Sequence, residues 1–551
     1  MSSAKAWEKQ INGAGIIFLV GVITGALLFI VTYGFSVLDV TNDGWIFRVS
    51  DVDIHQHYIG WCHFRKAPWT FPPGLMDSLS YPVKMSVLWT DSIPLFAIVF
   101  KLFRDFLPET FQYFGIYGLI SYSLTGGTAA LLIYRLCGSR TAAVLMVPFF
   151  SGSFFMIQRM FYHTSLTAHY LIIIPMLFYL YDCREWSVKK KCVVWGLYFF
   201  TAVMIHPYLW AMGAFIAAFS FIDEIVIKKT LIPAAATAAV SGVLTFLALF
   251  ITGAFYGNVE KAYSLGGYEA NLNTFINSLG LGTFLPELPL QNPNQYEGFA
   301  YLGLGGLALL AAALMAAVIR RGTAGKMGWE KRIFILIPVF LLFAVIPEIT
   351  FNSLTLIKIG IPKGILSVLG IFRSNGRFIW PAAILIMAAS VSLLFTGKKK
   401  VMPAVLLVIC LIVQLMDLST VISAKNQKFT SPGKRWNQDL DNPALSEHMD
   451  RYSHIVVVTD ENRLIERMAF FAAENDLTVN RFYFARDIDE ETEKGLVDYH
   501  ERCVKGEDID DVIFVFDEDT CREWKKDTDL HFYDLTGTII GISEEIDLPE
   551  L

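Results

Sequence analysis

Side chains capable of acid–base or ligand chemistry crowd one stretch, Asp39 to Pro94. It reads DVTNDGWIFRVSDVDIHQHYIGWCHFRKAPWTFPPGLMDSLSYPVKMSVLWTDSIP and holds Asp43, Asp51, Asp53, His55, His57 and Asp91. Carboxylates and imidazoles move protons or bind metal. The tryptophans and tyrosines among them suit a bilayer interface, where an apolar ring and a polar edge each find a solvent. An acid at the mouth of an apolar cavity is partly desolvated, which raises its basicity and fits it to take a hydroxyl proton. Asp51 and Asp53 are the first candidates for that base. Asp91 is a second acid or a metal ligand, and Asp53 is followed by His55 and His57.

A second group is basic. Lys358, Lys363, Arg373 and Arg377 lie in LIKIGIPKGILSVLGIFRSNGRFIWP, a loop that the topology below puts outside, where positive charge is normally avoided. Arg373 and Arg377 are four apart and share a face if that stretch is helical; paired guanidinium forks suit a phosphate or diphosphate. Histidines supply a third group: His163 and His169 flank one outer turn and His206 another. Six residues separate the first two, which is not the spacing of a two-ligand metal pair on a helix. The loop after Phe255 carries Tyr268, Asn271, Glu287 and Glu297, amides, acids and a ring of the kind that receive sugar hydroxyls.

The elements that position these groups are membrane helices. Of 551 residues 54% are hydrophobic and 17% charged, with mean hydropathy +0.47, which excludes an ordinary soluble enzyme. The net charge is −6 with no basic tract, so nucleic acid is not a partner. Seven cysteines are scattered without CxxC or zinc-like spacing. About eleven apolar spans are expected, beginning with Ile16–Thr32 and ending with Val401–Asp417. The basic turns Arg135/Arg140, Lys189–Lys191, Arg320/Arg321 and Lys398–Lys400 fall on one side. That side is cytoplasmic, with the N-terminus there and the C-terminal part opposite. The expected layout is a transmembrane domain over 1–425, with a long first outer loop at 39–91, and a small extracytoplasmic α/β domain over 426–551. HIVVVTD, FYFAR, DVIFVF and GTIIGIS supply that domain's strands.

The stretches SDVDIHQHYIGW, WTDSIPLFAIVFKLF, ETFQYFG, YHTSLTAHYLI, QYEGFAYLGLG and FRSNGRFIWP together resemble the GT-C superfamily of membrane glycosyltransferases. The resemblance implies a sugar donor carried on a polyprenyl phosphate and transfer to a glycan or other acceptor at the outer face. It makes Asp53 the catalytic acid of the first outer loop, Ser92–Phe103 an interfacial helix of that loop, and Arg373 and Arg377 the grip on the donor phosphate. Where many GT-C members have adjacent acids, this chain has Asp51 and Asp53 separated by Val52. Either is then the base, and the departure leaves metal use open between none and a divalent cation, Mg or Mn. Two other functions share much of this pattern. One is a transporter of lipid-linked saccharide, which needs polar groups along its spans. The other is a ligase or polymerase using a diphosphate-linked glycan.

Overall fold

The computed structural model describes residues 2–48, 52–256, 265–319, 329–396, 400–433, 436–437, 440, 442–484, 489–507, 509–548 and 550–551. The membrane part is helical, but the expected count of about eleven spans is not shown. Among the described residues seven helices are long and apolar enough to cross a membrane, and Thr164–Leu180 and Leu304–Ile319 are shorter apolar helices. The expected hairpin tip at His206-Pro207 is where helix Val188–Ile205 ends and Pro207–Lys228 begins. Proline supplies a first helical position there, where its missing N–H is no loss.

The chain forms two compact units. The first comprises residues 1–40, 113–245 and 262–431. Small residues set its closest helix contact. A Cβ on Gly25 would lie 2.2 Å from the Tyr122 carbonyl oxygen, and one on Gly21 would lie 2.5 Å from that of Gly126. Ser2–Tyr33 and Phe114–Cys137 therefore meet backbone to backbone, as glycine permits in apolar surroundings. The glycine run in YLGLGGLALL does the same: a Cβ on Gly305 would lie 2.2 Å from the Cys410 carbonyl oxygen in helix Val401–Thr430.

The second unit comprises residues 41–112, 246–261 and 432–551. This differs from the expected division at 425/426 in two respects. Helix Val401–Thr430 runs through that boundary. The long first loop packs with the C-terminal domain. It contains helix Val52–Lys66 and, within the expected Ser92–Phe103 segment, helix Pro94–Lys101. Helix Val52–Lys66 lies on Asn462–Glu474, where a His63 ring nitrogen is 2.7 Å from the Ala469 carbonyl and Lys66 donates to that of Ala473 at 2.6 Å. Tyr81 N–H donates to the Val479 carbonyl, and Val479 N–H to that of Ser78. The loop thus extends the edge of a five-stranded sheet.

That sheet has the order Thr478–Val479, His454–Val457, Val512–Phe516, Thr538–Ile542, His531–Leu535; the first three strands are parallel and the last two antiparallel. Three of the expected strands are present. The fourth, FYFAR, is irregular over its described residues 482–484, and HFYDL takes its place in the sheet. Cys503 and Cys521 are free thiols in one apolar core.

Candidate functional site

Two tight turns of the first unit meet through glycine. Pro293–Gly298 is a 3-10 turn capped by Asn292, whose side-chain oxygen accepts from Asn294 N–H at 2.9 Å. Asn375–Phe378 is another, anchored by the Asn375 amide, which donates to the carbonyls of Phe343 at 2.9 Å and Ile346 at 2.6 Å. A Cβ on Gly376 would lie 2.5 Å from the Tyr268 carbonyl oxygen and 3.0 Å from the Gly298 Cα. Any larger residue would force these turns apart. Their approach brings Glu297 and Arg377 together.

Arg377 grips Glu297 with a two-pronged fork, Nε to Oε2 at 2.7 Å and Nη2 to Oε1 at 3.0 Å. Arg159, the last residue of helix Phe154–Arg159, donates from Nη2 to Glu297 Oε2 at 2.8 Å and to the Glu297 carbonyl at 3.2 Å. His163 Nε2 stands 3.7 Å from Oε1. Exposure is 0% for Arg159, 3% for Glu297 and 7% for Arg377. Burial pushes the Glu297 carboxyl up. The Arg159 and Arg377 charges outweigh that and hold it well below the usual carboxylate range. Two permanent cations thus share one carboxylate.

Arg159 is the informative member. Its Nε and Nη1 are buried, and no described residue accepts a hydrogen bond from either. Its guanidinium instead lies 5.6 Å from the ring centroids of both Tyr296 and Trp380. Unmatched N–H groups on a buried cation are expensive, about 1–3 kcal/mol each, so an acceptor from outside the chain would be held strongly there. The sequence signal for Arg159 was present in QRMFYHTSLTAH. The reasoning that drew attention to Arg377, positive charge on the outer side, applies equally to this turn.

The other expected binding residues divide. His206 caps helix Pro207–Lys228, accepting at Nδ1 from Tyr208 N–H at 3.0 Å. Tyr208 in turn faces Arg377 at 4.8 Å and accepts from Ser374 N–H at 2.8 Å. His169 lies buried beside Phe155 and Trp380, with ring centroids 5.2 and 5.3 Å away. Arg373 does not share a helical face with Arg377: it falls in the turn between Lys363–Leu369 and the 3-10 turn, is exposed, and covers Tyr268 at 5.0 Å. Asn271 spends its amide internally, on Gln295 Oε1 at 3.0 Å and the Asn352 carbonyl at 2.8 Å. It braces the turn that carries Glu297.

The acids expected to do proton chemistry belong to the second unit. Asp53 is half-buried in the first turn of helix Val52–Lys66, where the helix end favours negative charge. Asp51 lies outside the described residues. Asp91 occupies a left-handed position, φ 53°, shortly before helix Pro94–Lys101. His57 is wholly enclosed, and burial pushes its pKa down to about 3, so it is neutral at physiological pH. His55 lies 3.4 Å from Glu466. Nearby, a cleft of about 530 Å³ is lined by Asp43, Phe47, Glu109, Trp436, Phe470 and Glu474. Among the described residues no three His, Cys, Asp or Glu side chains are grouped to hold a metal ion.

A crystal structure of the Archaeoglobus fulgidus oligosaccharyltransferase in the apo form is similar to this chain at 13% identity with a TM-score of 0.33, over 97% of this chain and 75% of that one. No curated protein matches it in sequence. Residues 444–543 match the DUF6311 C-terminal domain, and residues 22–419, well over half of the chain, match the domain of unknown function DUF6311. The chain belongs to the DUF6311 family.

Proposed function

We propose that this protein is a membrane glycosyltransferase that moves a sugar from a polyprenyl-phosphate lipid to a glycan or other acceptor at the outer face. The observation that carries the reading is the buried Arg159–Glu297–Arg377 cluster, with its unmatched Arg159 N–H groups. Arg159 and Arg377 stand at the ends of two apolar segments, Arg140–Arg159 and Asn375–Leu394. Arg140 opens the first of those segments, so the cluster lies at the end away from that basic turn. With the basic turns cytoplasmic, the cluster and the C-terminal domain face outward.

The donor phosphate accepts hydrogen bonds from Arg159 Nε and Nη1. As the acceptor hydroxyl attacks the anomeric carbon, its proton passes to the Asp53 carboxylate, with Asp51 the alternative. The bond from the anomeric carbon to the phosphate oxygen breaks, and its electron pair leaves on the phosphate, where the guanidinium charges stabilise it. The acids and rings of the second unit's cleft suit an acceptor rich in hydroxyls.

The transporter reading needs polar or charged groups along the middle of the spans. The buried acid in the middle of helix Val401–Thr430, Asp417, is saturated by the Tyr301 hydroxyl, Leu304 N–H and Phe284 N–H. The deciding experiment is sugar transfer by the purified full chain in lipid, alongside donor affinity. R159M is expected to weaken donor binding roughly 10- to 100-fold, the scale of lost hydrogen bonds to a charge. D53N is expected to keep donor binding and lower turnover about 100-fold or more. Vectorial movement of the lipid without transfer would overturn the enzyme.

A further inference from the structure

The lysine-bearing part of the outer loop has no role in the cluster above, and it forms an unusual element. Glu348–Phe351 and Leu354–Lys358 make a two-stranded antiparallel hairpin, with Ile349 opposite Ile357 and Phe351 opposite Leu354. The register shifts between Ile349 and Thr350, a bulge that leaves Leu356 unpaired, so Leu354 and Ile357 share the face of Ile349 and Phe351 while Thr355 shares that of Thr350. All five residues of the second strand are exposed. Exposure is 62% for Leu354, 54% for Leu356 and 54% for Ile357, so the apolar face of the strand is uncovered. Two-stranded hairpins are marginal in water, and exposed apolar patches of this kind mark an interaction surface.

Three observations identify what covers it. Exposed apolar side chains also occur on the preceding helix Leu336–Val345, at Val339 and Leu342, and only two residues separate helix from hairpin. Lysines stand at its margin: Lys358 ends the second strand, paired with Glu348 at 2.9 Å, and Lys363 opens the short helix in which Ile365 is also exposed. Such side chains lay their stems on apolar surface and carry their charge to phosphate headgroups. The hairpin is also held at its tip. Asn352 N–H donates to Asn271 Oδ1 at 3.0 Å, and Asn273 donates to Asn352 Oδ1 at 2.9 Å.

We infer that this hairpin, with the start of the following helix, is seated in the headgroup–acyl boundary of the adjacent bilayer leaflet. The occupant of its apolar face is bilayer lipid. A two-stranded sheet leaves backbone groups of its outer strand unpaired, which hydrocarbon does not tolerate. The element therefore lies shallow, about 5–10 Å into the boundary as interfacial elements do. Through Asn271 and Gln295 it is joined to the turn that carries Glu297, so bilayer contact fixes that turn at headgroup level. The inference does not depend on the chemistry proposed above.

The test places an environment-sensitive nitrobenzoxadiazole label on L356C in the full chain, reconstituted in phosphatidylcholine–phosphatidylglycerol vesicles. Wild-type chain labelled in parallel is subtracted for the native cysteines, and E518C, on an exposed helix of the second unit, is the aqueous control. The expected result is blue-shifted emission at position 356, quenched more by a nitroxide high on the acyl chain than by one near its end. Emission at 518 should respond to iodide only. Iodide quenching at 356 without lipid quenching would overturn the inference, since the hairpin would then be in water. Protection from both quenchers would also overturn it, because protein, such as a second copy, would be the cover.

Discussion

Replacing Glu297 by glutamine removes the charge shared by Arg159 and Arg377 while preserving the shape of the turn. Both guanidinium groups are more than nine-tenths buried, and the carboxylate receives three hydrogen bonds from them. Removing one partner of such an arrangement leaves charge buried without its counter-ion, at a cost of about 3–5 kcal/mol. E297Q should therefore unfold at markedly lower temperature than wild type when purified in detergent. A structural clamp and an anion site then behave differently. In an anion site the freed guanidinium N–H groups are taken up by phosphate, and E297Q should regain stability on adding inorganic phosphate or pyrophosphate. The gain is about 2.7 kcal/mol when the anion stands at a hundred times its dissociation constant. Thermal unfolding of both proteins, with and without the anion and at matched ionic strength, gives the comparison. If E297Q is destabilised and neither anion restores more than an equal strength of chloride does, the cluster is a clamp and the phosphate role is wrong.

Other expectations follow from the same contacts. Because the two arginines hold the Glu297 carboxyl low, its stabilising share is present above the ordinary carboxylate pKa and is lost as pH falls through the depressed folded value; E297Q should lack that part of the acid transition. Burial lowers His57 to about 3 and His63 to about 4, the latter despite the Ala469 carbonyl. Their neutral forms are favoured in the fold, so stability is full above pH about 6.5 and falls below it by on the order of 1 kcal/mol per pH unit per histidine; acid titration of H57Q should show a shallower slope. D417L removes the acceptor for Tyr301, Leu304 and Phe284 and should cost more than about 3 kcal/mol, measured by thermal unfolding. A chain ending at Thr430 strips helix Val52–Lys66 of the helix that receives His63 and Lys66, and it should fail to accumulate in membranes; full accumulation would show that residues 41–112 fold alone.

The legible parts of this chain were those written in local pattern. Apolar runs and the basic turns that bound them located the helices, because hydrophobic length and charge placement are properties of contiguous sequence. Arg377, Glu297 and His163 each stand out in the sequence by residue type. What sequence could not supply was that they meet, which depends on Gly376 and Gly298 letting two turns touch. Arg159 was missed because it ends an apolar run and reads as the edge of a helix. Asn271 was misjudged for the opposite reason: an amide suited to a sugar hydroxyl is equally suited to bracing a turn, and only its partners distinguish the two. Nor was the pairing of the first loop with the C-terminal domain visible. His63 and Ala469 are more than four hundred positions apart, and no local pattern encodes such a contact.

Buried charge in the first unit comes in two forms, and the contrast bears on function. One network joins Asp223 to Arg184 at 3.2 Å and Arg332 at 2.6 Å, Asp182 to Arg184 at 2.6 Å, and Glu224 to Lys191. Three acids there meet three bases. A matched set of this kind fixes helices in register and has little to offer a ligand. The Glu297 cluster is built otherwise, with one acid between two arginines, a histidine 3.7 Å away, and Arg159 N–H groups unmatched among the described residues. A fold that balances its ions at one place and leaves a buried cation under-satisfied at another pays for the second arrangement in stability. Such an arrangement persists where an anion completes it, and the lipid-borne phosphate of the proposed donor would supply both the charge and the acceptor oxygens.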